Sequence, residues 1–319
     1  MQLISLDGPD GLKLADVPEP SNDKMLVVEV HAAGVGFPDL LMTRGRYQFR
    51  PEAPFIPGIE MAGIVKTAPD GSGFKPGERV AAWTPLASWA EYAISSPVST
   101  FHIPDGMSYA QATSLVNYQS AYFGLVDRGQ CREGETVLIH GAAGGVGSAA
   151  IEIAAALGLK SIAIARGEEK EAVCRDLGAD HTLDADSDWL PEVKKLTNDR
   201  GADLVFDPVG GDKFIDSVRA LAVGGRLLVV GFAGGTIPEV KVNRLLLKNS
   251  SVVGVAWGEG VRHFPDMPQR IGRALSELFE AGKIKPLVGA TFPLERAADA
   301  LREIEERRAT GKIALIVRE

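Results

Sequence analysis

The sequence predicts an α/β protein in which a doubly wound parallel sheet is joined to a β-rich domain. Three observations carry that expectation. Short, continuously apolar runs alternate with helix-length segments through the middle of the chain. Alternating apolar and polar runs, punctuated by Pro and Gly, fill the first hundred residues. A glycine cluster sits where the first continuous run meets a helical pattern. Continuously apolar strands belong to parallel sheets covered on both faces, and alternating ones to antiparallel sheets with one face in water.

In the N-terminal part, Leu26–Ala32 and Gly63–Lys66 alternate, and Arg79–Trp83 and Trp89–Ile94 are further short strands. Pro54, Pro57, Gly58, Pro69, Gly71, Gly73, Pro76 and Gly77 separate them. The pattern is that of a compact, partly barrel-like domain. Helices over Ser108–Leu115 and Ala121–Asp127 lead into the central part.

There, Val137–Ile139 is a strand that breaks into Gly141, Gly144, Gly145 and Gly147 before a helix over Ser148–Leu157. Strand, glycine-rich turn and helix in that order aim backbone N–H groups and a helix N-terminus at a bound pyrophosphate. The G-x-G-x-x-G pattern is not strictly met, since Ala142 stands at its first glycine, and such loops also serve ordinary strand-to-helix reversals. The context supplies what the loop lacks. Ser161–Ala165 is a second apolar strand followed by a helix through Glu169–Leu177, and Leu204–Phe206, Arg226–Gly231 and Ser251–Ala256 continue the alternation. This is a Rossmann pattern, with Gly144, Gly145, Val146 and Gly147 as expected dinucleotide contacts.

The end of the second strand bears on which dinucleotide. A carboxylate there would accept hydrogen bonds from the 2′-hydroxyl of NAD, but this corner reads Ala165-Arg166-Gly167, with Lys170 one helical turn on. Arg forms charge-assisted bonds with a 2′-phosphate that an acid would repel, so the expected cofactor is NADPH. The alternative is that Arg166 and Lys170 are solvated charges offset by Glu168, Glu169 and Glu171.

Beyond Ala256, Arg262–Ala281 carries a helical stripe of Ile271, Leu275, Leu278 and Phe279. Leu287–Phe292 is a strand, Leu294–Arg308 an amphipathic helix and Ile313–Val317 a closing strand. This tail is expected to complete the N-terminal sheet. The domains are thus 1–117 with 257–319, and 118–256. Ligands of doubly wound sheets sit beyond the carboxyl ends of the strands, so the nicotinamide is expected in the cleft between the domains.

Composition narrows the function. The 319 residues are 45% hydrophobic and 24% charged, with a formal charge of −8 and no Lys/Arg block, which argues against a nucleic-acid surface. The two cysteines, Cys131 and Cys174, are far apart, which favours a reduced, cytoplasmic setting. No basic n-region or membrane-length apolar run is present, so neither a signal peptide nor a membrane span is expected.

Several motifs together resemble the medium-chain dehydrogenase/reductase superfamily, and within it the zinc-free, zeta-crystallin-like quinone oxidoreductases. They are Ala32–Asp39, Gly45–Tyr47, Pro57–Glu60, the Gly144–Gly147 loop, Asp207–Asp212, Gly231–Ala233 and Gly311-Lys312. The resemblance implies a GroES-like catalytic domain beside the Rossmann domain. It also implies NADPH-dependent hydride transfer to a quinone or related conjugated carbonyl. Tyr47 matches a tyrosine near the nicotinamide, where its phenol positions substrate or simply packs. Tyr118 lies at the domain junction, and Val209 and Phe232 are expected beside the cofactor. Asp39 and Arg46 form either a structural or a catalytic ion pair. Gly36 stands where many members have Asn, and Asp184 approximately where a tyrosine stacks near the adenosine.

Zinc-dependent members use cysteines and a histidine; here the corresponding positions give Ala33-Gly34 and Ile59, so no metal is expected. His31 and His140, in apolar strands, read as satisfied core or edge residues. Without a Lewis acid, hydride addition suits a quinone or enone, whose conjugation spreads the developing charge. An enoyl- or acryloyl-thioester or alkenal reductase is the rival reading, with Arg44, Arg46 and Arg50 as candidates for coenzyme A phosphates. A non-catalytic NADPH-binding protein is the rival of another class. Relatives pair the strand corresponding to Ser251–Ala256 across a two-fold axis, which implies a homodimer.

Overall fold

The computed structural model describes residues 1–318. They form two compact units. One comprises Met1–Val116, Phe264–Ser276 and the chain from Pro286 onward; the other comprises Asn117–His263 and Glu277–Lys285.

The second unit holds a six-stranded sheet, parallel throughout. Its order is His181–Asp184, Lys160–Ala165, Thr136–Ile139, Ala202–Asp207, Leu221–Val229, Ser251–Gly254. Chain order reverses at Thr136–Ile139, which lies beside Ala202–Asp207; this is the switch point where doubly wound sheets bind ligands. Thr136, Val137, Leu138 and Ile139 are all buried, as a central strand covered on both faces requires. Leu138, Ile162, Val205 and Leu227 pack with Trp189, Phe214 and Val218 from the covering helices.

His181–Asp184 is a strand absent from the sequence-based expectation. Its residues are exposed or half-buried, so an edge strand with His, Thr and Asp shows no apolar run. Two other elements differ from expectation. The stripe of Ile271, Leu275, Leu278 and Phe279 lies in one helix, Met267–Glu280, which begins later than expected and is separated from the helix Trp257–His263, because Pro265 lacks an N–H and disfavours helical backbone at Phe264. The helix expected over Ala121–Asp127 is present, as the end of the α-helix Leu115–Tyr122 and a π-helical continuation over Phe123–Arg128.

In the first unit, strands run Val288–Pro293, Lys312–Ile316, Leu26–Val35, Glu60–Thr67, Arg79–Trp83, Thr100–His102, with Tyr92–Ser95 also on Leu26–Val35. All neighbours are antiparallel except the first pair. The C-terminal strand Lys312–Ile316 therefore pairs with Leu26–Val35 and completes the N-terminal sheet. Val30, Met61, Trp89, Leu301 and Leu315 share its core. Among the described residues no helix is long and apolar enough to cross a membrane.

Candidate cofactor and active site

The glycine loop opens directly onto the helix Gly145–Ala156, one turn earlier than the sequence pattern places it. Gly141 has φ +56°, a left-handed conformation suited to glycine, and its carbonyl accepts the Gly144 N–H at 2.9 Å. A Cβ on Gly147 would lie 2.7 Å from the Ala142 Cα, so only glycine lets this helix start so close to the turn. The unpaired N–H groups of the first helical turn form an anion site of the kind a pyrophosphate occupies.

Across the switch point, Asp207 ends the neighbouring strand, and one of its carboxylate oxygens accepts the Val209 and Gly210 N–H groups, each at 2.8 Å. The folded-back turn brings Val209 against Gly141, where its Cγ2 would lie 3.2 Å from a Cβ. Ala233 and Gly234 donate N–H groups to the Pro208 and Val209 carbonyls at 3.1 and 2.8 Å, which keeps Phe232, 38% exposed, beside the same turn. Gly144, Gly145, Val146, Gly147, Val209 and Phe232 thus meet along the carboxyl edge of one sheet.

Tyr118 is different. Its ring is buried, and its hydroxyl donates to Glu152 inside the helix Gly145–Ala156; burial, then that carboxylate, hold the phenol pKa well above 10. The other Glu152 oxygen accepts the Lys285 N–H at 3.1 Å. Asn117, which the sequence did not single out, sits beside the phosphate loop instead. Its side chain would lie 3.0 to 3.2 Å from a Cβ on Gly145, and its buried Oδ1 has no hydrogen-bond partner among the described residues.

At the second strand end, Arg166 is exposed and Lys170 half-buried. Burial, then the neighbouring Arg166 charge, lowers the Lys170 pKa. The corner is more acidic than its own residues announce. Asp184, in register with Ala165 on the adjacent strand, reaches the Gly167 N–H at 3.4 Å, and Asp186 pairs with Arg166 at 2.9 and 3.1 Å.

In the first unit, Tyr47 is half-buried in the segment after the helix Phe37–Thr43, and its carbonyl accepts the Arg50 Nε at 3.2 Å. Arg46 is exposed, whereas Asp39 is fully buried and caps that helix by accepting the Gly36 N–H at 2.8 Å. Burial raises the Asp39 pKa to about 7, against the pull of the Gly36 amide and Lys312. The second oxygen, Oδ1, has no partner among the described residues. Glu60 and Lys312 form a buried ion pair, and Glu60 also accepts the Val116 N–H at 2.9 Å. Gly34 makes room for them, since a Cβ there would lie 2.7 Å from both charged groups. A Cβ on Gly36 would meet nothing closer than 3.4 Å, an ordinary van der Waals contact, so the position accepts a Cβ.

The histidines hold no common centre. His140 Nε2 and Ser217 Oγ are 2.8 Å apart, and burial lowers the ring's pKa. His31 stacks on Tyr109 with ring centroids 4.5 Å apart, and its Nε2 lies 3.6 Å from a Glu29 carboxylate oxygen, so Tyr109 and Glu29 together hold the ring. Among the described residues no three His, Cys, Asp or Glu side chains gather as a metal site would require. Cys174 is buried with its thiol pushed up to about 12, and burial also raises the half-buried Cys131. Zinc therefore does not fit this donor set.

Comparison with known proteins agrees with this geometry. Residues 22–105 match the alcohol dehydrogenase GroES-like domain and residues 145–275 the zinc-binding dehydrogenase family. The bovine (Bos taurus) quinone oxidoreductase-like protein 2 is 39% identical over 303 residues, 93% of this chain and 86% of that one. The crystal structure of a probable oxidoreductase from Mycobacterium abscessus has 43% identity and a TM-score of 0.92, covering 99% of this chain and 97% of that one. The quinone oxidoreductase from Thermus thermophilus, solved also in its complex with NADPH, has 33% identity and a TM-score of 0.84, with 99% of each chain covered. A Rossmann sheet with a loop built for a dinucleotide, a GroES-like partner unit and full-length similarity converge: this chain belongs to the medium-chain dehydrogenase/reductase superfamily, among its quinone oxidoreductase-like members.

Proposed function

We propose that the protein is a zinc-independent, NADPH-dependent oxidoreductase that transfers hydride to a quinone or related conjugated carbonyl. The observation that carries this reading is the carboxyl edge of the parallel sheet. There the Gly141–Gly147 turn, the Val209–Gly210 turn and the Arg166 corner are built by adjacent strands. Among proteins of this fold, the quinone oxidoreductases of Thermus thermophilus and Escherichia coli have each been solved in complex with NADPH.

The N-terminal turn of Gly145–Ala156 would bind the pyrophosphate, Arg166 and Lys170 the 2′-phosphate, and Val209 and Phe232 would flank the nicotinamide. NADPH, when bound, supplies the hydride. The chain's own work is positioning and water exclusion, because conjugation in the acceptor spreads the charge that a zinc ion would otherwise stabilise. Tyr47 supplies a phenol for the substrate oxygen. Of the arginines that a coenzyme A thioester would need, Arg44 pairs with Glu305 at 2.6 Å and bonds the Asp7 carbonyl at 3.0 Å.

The test is loss of reduced-nicotinamide absorbance with NADPH or NADH and a panel of p-quinones, o-quinones, alkenals and enoyl thioesters. Turnover with quinones supports the reading, and turnover only with enones or thioesters replaces it by alkene reduction. Saturable NADPH binding with no turnover assigns a non-catalytic role.

A homodimer completes the proposal. Ser251–Gly254 is an edge strand with Val252 and Val253 half-exposed, beside a helix, Asn243–Lys248, whose Leu246 and Leu247 are largely exposed. Pairing of two such edges buries this face. Val253→Asp is expected to halve the mass seen by light scattering; an unchanged mass contradicts the pairing.

A further inference from the structure

We infer that Asp186 is a built-in competitor for the 2′-phosphate at Arg166, and that it narrows the preference of this protein for NADPH over NADH. The inference rests on the NADPH reading above and deepens it at one residue.

Three features show that the pair is built into the fold. Asp184 closes the edge strand in register with Ala165, so the chain beyond it starts level with the Arg166 corner. The Asp184 carboxylate accepts the Asp186 N–H at 3.2 Å, while the Ser187 N–H and hydroxyl bond the Asp184 carbonyl at 3.2 and 2.7 Å. That turn fixes Asp186 in place. From it, both Asp186 oxygens reach Arg166, Oδ2 to Nε at 2.9 Å and Oδ1 to Nη2 at 3.1 Å. This is the side-on fork by which a guanidinium takes a planar anion, and it occupies the edge a phosphate would use in the same manner.

The electrostatics give the pair a reason. Burial first, and then the nearby Arg166 charge, lower the Lys170 pKa, so the corner holds two mutually repelling cations. Asp186 offsets one of them in the protein without cofactor. A 2′-phosphate must then displace the carboxylate or bind with it alongside, and either route reduces affinity. NADH carries a hydroxyl at that place and meets neither obstacle. The effect is modest in size, because Arg166 and Asp186 are 52% and 61% exposed and water screens them.

The test is a fluorescence titration of the intact protein with NADPH and with NADH. Asp186→Asn is expected to tighten NADPH about two- to tenfold and to move NADH by less than about twofold. Arg166→Ala is expected to weaken NADPH about tenfold or more. In the Arg166→Ala background, Asp186→Asn is expected to lose most of its effect, the coupling a cycle of two contacting residues shows. An Asp186→Asn protein whose NADPH affinity is unchanged or weaker, or whose NADH affinity rises equally, overturns the competitor role and leaves the cofactor reading standing. A wild-type protein that binds NADH but not NADPH, or an Arg166→Ala protein that loses nothing, overturns both.

Discussion

The two units differ in how completely they bond their buried acids. In the Asn117–His263 unit, Asp207 gives one oxygen to two backbone N–H groups, and Glu152 divides its oxygens between the Tyr118 hydroxyl and the Lys285 N–H. Each buried acid there shapes a loop or helix that faces the proposed cofactor. In the other unit, Glu60 is tied to Lys312 and the Val116 N–H, yet Asp39 keeps an oxygen with no partner among the described residues and titrates near neutrality. A fully bonded acid is scaffold, whereas a buried acid with spare capacity is a place where charge and ligand still matter.

Lys312→Met tests the scaffold side of that contrast most severely. It leaves the buried Glu60 without its cation, and is expected to remove about 3–5 kcal/mol in urea unfolding. Replacing both partners, Glu60→Gln with Lys312→Met, is expected to recover part of that loss; equal loss in single and double variants would show that the charge is not the cause.

Gly147→Ala probes the cofactor unit. With Ala142 only 2.7 Å from the new Cβ, the turn must shift, and NADPH binding is expected to weaken about a hundredfold, near 2.7 kcal/mol. Full-strength binding would mean that the turn does not hold the pyrophosphate.

Asp39→Asn sharpens the comparison through pH. The folded carboxyl titrates at about 7 against an ordinary 3.8, so between those values the folded state holds a proton that the unfolded state releases. Stability from this group is therefore present below the lower value and lost as pH rises toward the higher one. Asparagine mimics the protonated form. The stability of the variant relative to wild type is expected to grow by about 2–3 kcal/mol between about pH 5 and pH 8. A constant difference across that range would place the Asp39 pKa elsewhere.

The smallest effect is expected from Gly36→Asn. The backbone there is extended, φ −137°, and the added Cβ meets nothing closer than 3.4 Å, so stability should change by less than about 1 kcal/mol. Under the proposed function, the change is expected in KM for quinones and not in folding. Loss of the folded state would show that the space is not usable.

The same contrast explains what the sequence discloses. Val137–Ile139 and its glycine turn are legible because a central parallel strand is apolar on both faces and its turn admits only glycine at Gly147. His181–Asp184 is not, because an edge strand needs no apolar run, and with it go the carboxylates facing Arg166. Read locally, the strand end at Arg166 lacks a carboxylate, since Asp186 arrives from beyond another strand. Glu60 and Lys312 lie 252 residues apart and meet only through strand pairing that no local pattern records. Tyr118 and Asn117 are adjacent in sequence, and only helix geometry decides which of them faces Gly145.

The two thiols carry a chemical consequence. Quinones and enones alkylate proteins by conjugate addition of thiolates, and thiolate supply falls as a thiol pKa rises. This chain has two cysteines, one buried with its pKa pushed up to about 12 and one half-buried with its pKa also raised. Under the proposed reading, the raised pKa values of both thiols are expected to slow their arylation by the compounds the protein reduces.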